Sequence, residues 1–136
     1  MNADEFGAAL GPKLKQAGFR KKDLNWYRNL GEVTVVLNIQ KSQFSPDIWY
    51  YNYGFGINCF YSEPITGIRE CDITYRFDQS LNQQTLTPDD VARILQMWID
   101  NYGSVEKLRS LAYRGKLPPA TTERVKHFLL SGYTAG

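Results

Sequence analysis

The sequence predicts an α+β domain: a four-stranded antiparallel β-meander over about residues 24 to 77, with N-terminal and C-terminal helices packed on one face. Three observations carry that prediction. The stretch Ile48 to Tyr61, IWYYNYGFGINCFY, alternates strictly, with Trp49, Tyr51, Tyr53, Phe55, Ile57, Cys59 and Tyr61 on one side and Tyr50, Asn52, Gly54, Gly56, Asn58 and Phe60 on the other. Such a period of two marks a strand with one large apolar face and one small, amide-rich face. Shorter alternating runs flank it, and beyond residue 79 the apolar spacing changes to that of helices. With 136 residues, 43% hydrophobic, the chain has the size of one domain able to bury a core without staples. We read 1–136 as a single domain with its core over 3–130 and a frayed tail at 131–136.

Taken in order, residues 3 to 17 place Phe6, Leu10, Leu14 and Ala17 at helical spacing, with Gly18 as the terminating residue. Gly11 and Pro12 interrupt this pattern, which predicts a kink there, or a short first turn followed by a second helix from Pro12. Arg20, Lys21 and Lys22 lead into a strand over Asn25 to Leu30, and a two-residue turn at Gly31 and Glu32 joins it to Val33 to Gln40. That register sends Trp26, Arg28 and Leu30 inward with Val33, Val35, Leu37 and Ile39. Arg28 is the misfit: its guanidinium must reach the sheet edge or meet a carboxylate, or else the turn is wrong by one residue. After the loop 41–47 comes the central strand, broken by Pro64 and Gly67; Cys71 to Phe77 then forms the fourth strand, with Cys71, Ile73, Tyr75 and Phe77 alternating against outward Asp72, Thr74 and Arg76.

Thr87, Pro88, Asp89 and Asp90 form a strong helix start, followed by a stripe of Val91, Ile94, Leu95, Trp98 and Tyr102. Ser104 opens another helix with Val105, Leu108, Leu111 and Ala112, and a last one runs from about Thr122 to Leu130 with Val125, Phe128 and Leu129. The expected core is Trp26, Val35, Leu37, Tyr51, Tyr53, Phe55, Ile57, Leu95 and Trp98.

Composition excludes several function classes. A net charge of +2, from 16 basic and 14 acidic residues, gives no electrostatic footprint for nucleic acid or membrane. No apolar run is long enough to span a bilayer and the start MNADEFGAAL does not resemble a secretory signal, so the expected location is the cytoplasm, with Cys59 and Cys71 as reduced core residues. The single histidine, His127, offers no Ser-His or Cys-His pairing, and two cysteines with one histidine at these spacings make no zinc set. Gly54-Phe55-Gly56 lies within a strand and lacks a third glycine, so it reads as room for close packing rather than as a dinucleotide fingerprint. No catalytic residue, metal ligand or cofactor site is therefore assigned.

Two surfaces invite binding. Arg20, Lys21 and Lys22, with Trp26, Tyr27 and Arg28 just downstream, could hold phosphate and stack a base, or could form a solvated turn. The outer sheet face would carry Asn25, Tyr27, Asn29, Asn38, Gln40, Tyr50, Asn52 and Asn58, which suits recognition by hydrogen bonding or plain solvation.

The segments Gly18-Phe19-Arg20-Lys21-Lys22, Trp26-Tyr27-Arg28, Asn38 to Phe44 and Asn52-Tyr53-Gly54, with Cys71 to Phe77, Tyr102-Gly103 and Leu108 later on, resemble the bacterial family catalogued as domain of unknown function 4304. The resemblance covers about residues 5 to 115, and its most specific piece is Gln40-Lys41-Ser42. Either Gln40 and Ser42 cap the following loop, or all three residues point to a ligand. Relatives of this kind among accessory and immunity genes of bacterial toxin systems imply a non-enzymatic protein-binding module, an immunity protein that occludes a toxin. Its contacts would be Tyr27, Asn38, Gln40, Lys41, Phe44, Tyr50 and Asn52, and the near-neutral charge favours a neutral or acidic target over a basic nuclease cleft. The alternatives are a nucleic-acid or small-ligand binding domain using the basic turn and the amide face, and an uncharacterised enzyme.

Overall fold

The computed structural model describes residues 2–45, 47–76 and 86–131. It is an α+β structure in which the strands follow one another as an antiparallel meander, but with five strands rather than four. In chain order the elements are α1 (Ala3–Gln16), β1 (Arg20–Lys22), β2 (Asn25–Asn29), β3 (Val33–Lys41), β4 (Trp49–Ile57), β5 (Ile73–Arg76), α2 (Pro88–Tyr102), α3 (Val105–Tyr113) and α4 (Glu123–Ser131).

α1 begins with a reciprocal cap: Asn2 Oδ1 accepts from the Glu5 amide at 2.8 Å, and Glu5 Oε1 accepts from the Asn2 amide at 3.2 Å. Contrary to expectation it runs unbroken through Pro12. Proline removes one helical bond, that to the Ala8 carbonyl, but Ala8 is exposed and water can satisfy it. Phe6, Leu10 and Leu14, buried on both sides of the proline, hold the helix against the sheet. The end is a Schellman motif, with Gly18 at φ +89° and the amides of Phe19 and Gly18 donating to the carbonyls of Leu14 and Lys15.

The extra strand is the basic run itself. β1 pairs with β2 in the register Arg20↔Tyr27, Lys21↔Trp26, Lys22↔Asn25. Three polar residues show no alternation to read, and their charges suit an exposed sheet edge. The next turn falls where expected: Leu30 N donates to Val33 O at 2.8 Å around Gly31, whose φ is +108°. Trp26 therefore lies opposite Leu37 and Arg28 opposite Val35, so the register holds and Arg28 is resolved by its position at the sheet edge, beyond the last residue of β1.

On the inner face β3 and β4 bury Val33, Val35, Leu37, Ile39, Tyr51, Tyr53, Phe55 and Ile57. α1 covers the β2–β3 side; Gly7 admits the Trp26 indole so closely that a Cβ there would lie 3.2 Å from its ring. α2, capped by Thr87 and Asp90, covers the β4–β5 side, where Trp98 stacks on Tyr53 at 5.8 Å and meets Tyr75 at 4.2 Å. Trp98, expected in the core, packs against it while half-buried. α3 and α4 pack on each other and extend the core through Leu108, Leu111, Val125 and Leu129.

The outer face departs most from expectation. β4 ends at Ile57 rather than Tyr61, because the Asn58 side chain is captured by the neighbouring turn: Nδ2 donates to Asn29 Oδ1 and Gly31 O, and Oδ1 accepts from Thr34 Oγ1. The chain then makes two single 3-10 turns, Asn58–Phe60 and Ile68–Glu70, and re-enters the sheet at Ile73 rather than Cys71. On the way Ile65, Ile68 and Cys71 settle over the two glycines of β4. A Cβ on Gly54 would lie 2.6 Å from Cys71 Cβ, and one on Gly56 would lie 2.4 Å from Ile65 Cδ1. Val36, on the same outer row, is fully buried. One half of the outer face is thus a second, small apolar layer. Phe77 and residues 132–136, expected as strand end and frayed tail, lie outside the described residues.

Candidate functional site

The other half of the outer face, at the end where β3 and β4 are joined, carries the polar groups. The pairing Asn25↔Asn38↔Asn52↔Arg76 sets one row across four strands, and Gln40↔Tyr50 lies beside it. The side chains interlock along that row. Asn38 Nδ2 donates to Asn25 Oδ1 at 3.0 Å, and Asn52 Nδ2 donates to Asn38 Oδ1 and Gln40 Oε1, both at 3.0 Å. Arg76 closes the row, with Nε donating to Asn52 Oδ1 at 3.0 Å, Nη2 donating to Gln40 Oε1, and the guanidinium 5.0 Å from the Tyr50 ring centroid. Each donor used here fixes a side chain, so the patch is held in one arrangement before anything binds. Among the described residues Gln40 Nε2 and Arg76 Nη1 have no protein acceptor and face outward as donors.

The loop beyond this row projects Phe44, which is 94% exposed. Its stem is closed by the Ser42 amide donating to Ile48 O, and Ser42 Oγ accepts from the Phe44 amide at 3.1 Å. Of the two readings of Gln40-Lys41-Ser42, capping therefore holds for Ser42 alone. Gln40 belongs to the amide row, and Lys41 forms an exposed ion pair with Asp4 at 2.9 Å.

Structure thus brings Asn38, Gln40, Tyr50 and Asn52 together with the Phe44 loop, adds Arg76, and separates two expected members. Lys41 turns toward α1, and Tyr27 lies next to Val36 in the row leading to Gly54. Arg76 was legible only as an outward position at a strand end; its neighbours come from strands 24 and 36 residues earlier.

The basic run does not act as one cluster. Alternation sends Arg20 and Lys22 to the outer side and Lys21 to the inner, where its Nζ lies 5.5 Å from the Trp26 ring centroid. Arg20 instead meets Arg28 at a cleft of about 490 Å³ between the β1–β2 edge and the segment 64–66.

A polar centre that alternation misassigned is Asp72, expected to point outward and found only 2% exposed. Its Oδ1 accepts from Arg124 Nε at 2.9 Å and Thr122 Oγ1 at 3.0 Å, and its Oδ2 accepts from Tyr61 OH at 3.3 Å. Arg124 also lies over the rings of Phe60 and Tyr61, and burial first, then the Asp72 charge, pushes the Tyr61 hydroxyl pKa up. The group ties α4 to the sheet. Every carboxylate oxygen is engaged by protein donors, which suits a structural clasp.

Cys71 is packed against Gly54 and its thiol pKa is pushed far up by burial, while Cys59, expected in the core, is exposed on a 3-10 turn; both are free thiols. His127 is exposed on α4. Among the described residues no group of three histidines, cysteines or acids could hold a metal ion, and no helix is long and apolar enough to cross a membrane.

The molecule is an α+β meander domain whose sheet is covered by helices on one face and half-covered by its own connection on the other, leaving a braced amide patch. Residues 10–110 match the family model described as domain of unknown function 4304, and the chain belongs to that family. No curated protein and no solved structure matches it.

Proposed function

We propose that this is a non-enzymatic cytoplasmic module of bacterial origin that binds another protein, acting as an immunity protein that occludes a toxin. The observation that carries the reading is the braced patch beside an exposed aromatic: Asn38, Gln40, Tyr50, Asn52 and Arg76 interlocked, with Phe44 standing out of the adjoining loop. An aromatic side chain so exposed gains by burial in a partner's pocket, and amides already fixed lose little entropy on binding. The outward groups are donors, on Gln40 and Arg76, so the complementary surface offers carbonyls or carboxylates, which favours a neutral or acidic target. Occlusion requires no catalytic group.

The test is binding to the product of the adjacent gene, measured by calorimetry with purified proteins. Replacing Phe44 and Tyr50 together by alanine is expected to weaken binding by about a hundredfold or more, as for paired hot-spot residues. Tyr27→Ala, outside the patch, should leave affinity unchanged. Unaltered affinity in the double variant would move the interface elsewhere, and absence of any protein partner would remove the reading.

A further inference from the structure

The cleft at the β1–β2 edge points to a second site, independent of the partner-binding patch. We propose that it binds the phosphate group of a small phosphate ester, held by Arg20 and Arg28 with the organic part against Tyr27, Pro64 and Ile65.

Charge at the cleft favours an oxyanion. Arg28 occupies a core-facing row between Trp26 and Leu30, where an apolar side chain would pack at no electrostatic cost. It is half-buried, and among the described residues no carboxylate or other acceptor bonds to it; the same holds for Arg20. A guanidinium drawn partly out of water without a partner is a cost, which an oxyanion held by its fork of donors would offset. By contrast Arg76, Arg93 and Arg124 all have acceptors.

The shape of the cleft suits a small ligand. Both arginines line one concavity of about 490 Å³, within the range of small-ligand sites, and none of its lining residues is acidic. Gly18, at the end of α1, flanks the Arg28 side chain, and a Cβ there would be in ordinary contact with its Nε at 3.5 Å. The opposite wall is fixed by Ile65, docked where Gly56 has no side chain. Of the two acids that flank that wall along the chain, Glu63 does not line the cleft, and Glu70 is already engaged: its Oε1 accepts from the Thr66 and Gly67 amides at 3.1 Å and from Thr66 Oγ1. Two guanidiniums match the double charge of a phosphate monoester better than the single charge of a carboxylate. Tyr27, half-buried in the cleft, adds a ring and a hydroxyl with no protein partner among the described residues.

Titration of the full chain with adenosine monophosphate, inorganic phosphate and acetate at low salt tests this, followed by calorimetry and by amide NMR shifts. The monophosphate should bind more tightly than inorganic phosphate, acetate weakest, and the shifts should centre on residues 18–29 and 64–66. Arg28→Gln and Arg20→Gln should each weaken the monophosphate about tenfold or more, the loss of a charged hydrogen bond. Arg28→Lys should fall between, because it keeps the charge and loses the fork. Arg20→Gln lies on an exposed edge strand and tests the site even if the Arg28 variants fold poorly. No binding by either phosphate, affinity unchanged in both glutamine variants, or a monophosphate no tighter than phosphate or acetate overturns the assignment. Gln40→Ala, in the partner patch, should leave phosphate affinity unchanged, so loss of one site does not imply loss of the other.

Discussion

The two faces of the sheet solve the same problem with opposite means. On the inner face, Tyr51, Tyr53, Phe55 and Ile57 fill the space under α1 and α2 with their own bulk. On the outer face the alternate residues of the same strand, Gly54 and Gly56, supply no bulk, and the connection 58–72 brings it to them as Ile65, Ile68 and Cys71. One face is packed by what the strand carries and the other by what it omits. The difference sets where the outer face is open, since the omission stops at Asn52 and Tyr50.

The inner packing is the more costly to disturb. Phe55→Ala empties a fully buried position opposite Val35, and the cost expected of such a deletion is about 3–5 kcal/mol. Urea unfolding monitored by tryptophan fluorescence would show a lower midpoint at unchanged slope. A cost under about 1 kcal/mol would mean that this face is not the principal core.

From the outside, adding atoms is the damaging change. Gly54→Val places carbon where Cys71 Cβ and Ile68 Cδ1 stand within 2.8 Å of the new Cβ, and overpacking of this kind costs about 1–3 kcal/mol. β-propensity alone predicts the opposite sign, since valine is favoured over glycine in strands. A stabilised Gly54→Val variant would therefore show that the 58–72 layer does not close over β4 in solution.

These two positions also show what the sequence could tell. The inner face was legible because large rings at every second residue leave one arrangement that buries them, and α2 because Thr87, Pro88 and Asp90 announce its start. The outer layer was not, since Ile65, Ile68 and Cys71 follow no period of two; the only trace was a pair of glycines implying a close neighbour of unstated identity. β1 escaped because three charged residues carry no pattern. Of the candidate site, the amide row was read from alternation, while Arg76 as its clasp depended on pairing between distant strands. Asp72 was misassigned because its burial is decided by Arg124, 52 residues away.

Alkaline titration sharpens the contrast, since the tyrosines that matter face inward. Burial pushes the hydroxyls of Tyr51 and Tyr75 up to about 12 and that of Tyr53 higher still, from a usual 10.0. An unfolded chain releases these protons near pH 10 and the folded chain holds them until about 12, so the folded state binds more protons across that window. Stability is then fully present below pH 10 and falls as pH rises toward 12. Urea midpoints and tyrosinate absorbance over that range would check it, and a flat midpoint would place these rings in water.

The smallest effect is expected at Lys41, although its tract is the most specific part of the family resemblance. Its ammonium reaches Asp4 at 2.9 Å across the rim between β3 and α1, with both side chains more than half exposed. Coulomb attraction at such a site is weakened by solvent and salt, and ordering two flexible chains opposes what remains, so exposed pairs contribute about 0–1 kcal/mol. Lys41→Met keeps most of the stem's apolar contact and removes the charge; its unfolding midpoint should differ little from wild type, and the difference should vanish in high salt. Because Lys41 turns toward α1 while Gln40 and Arg76 face outward, partner affinity should also survive the change. A large loss of binding with unchanged stability would place Lys41 inside the interface and extend the patch from the outer face around the sheet edge to α1.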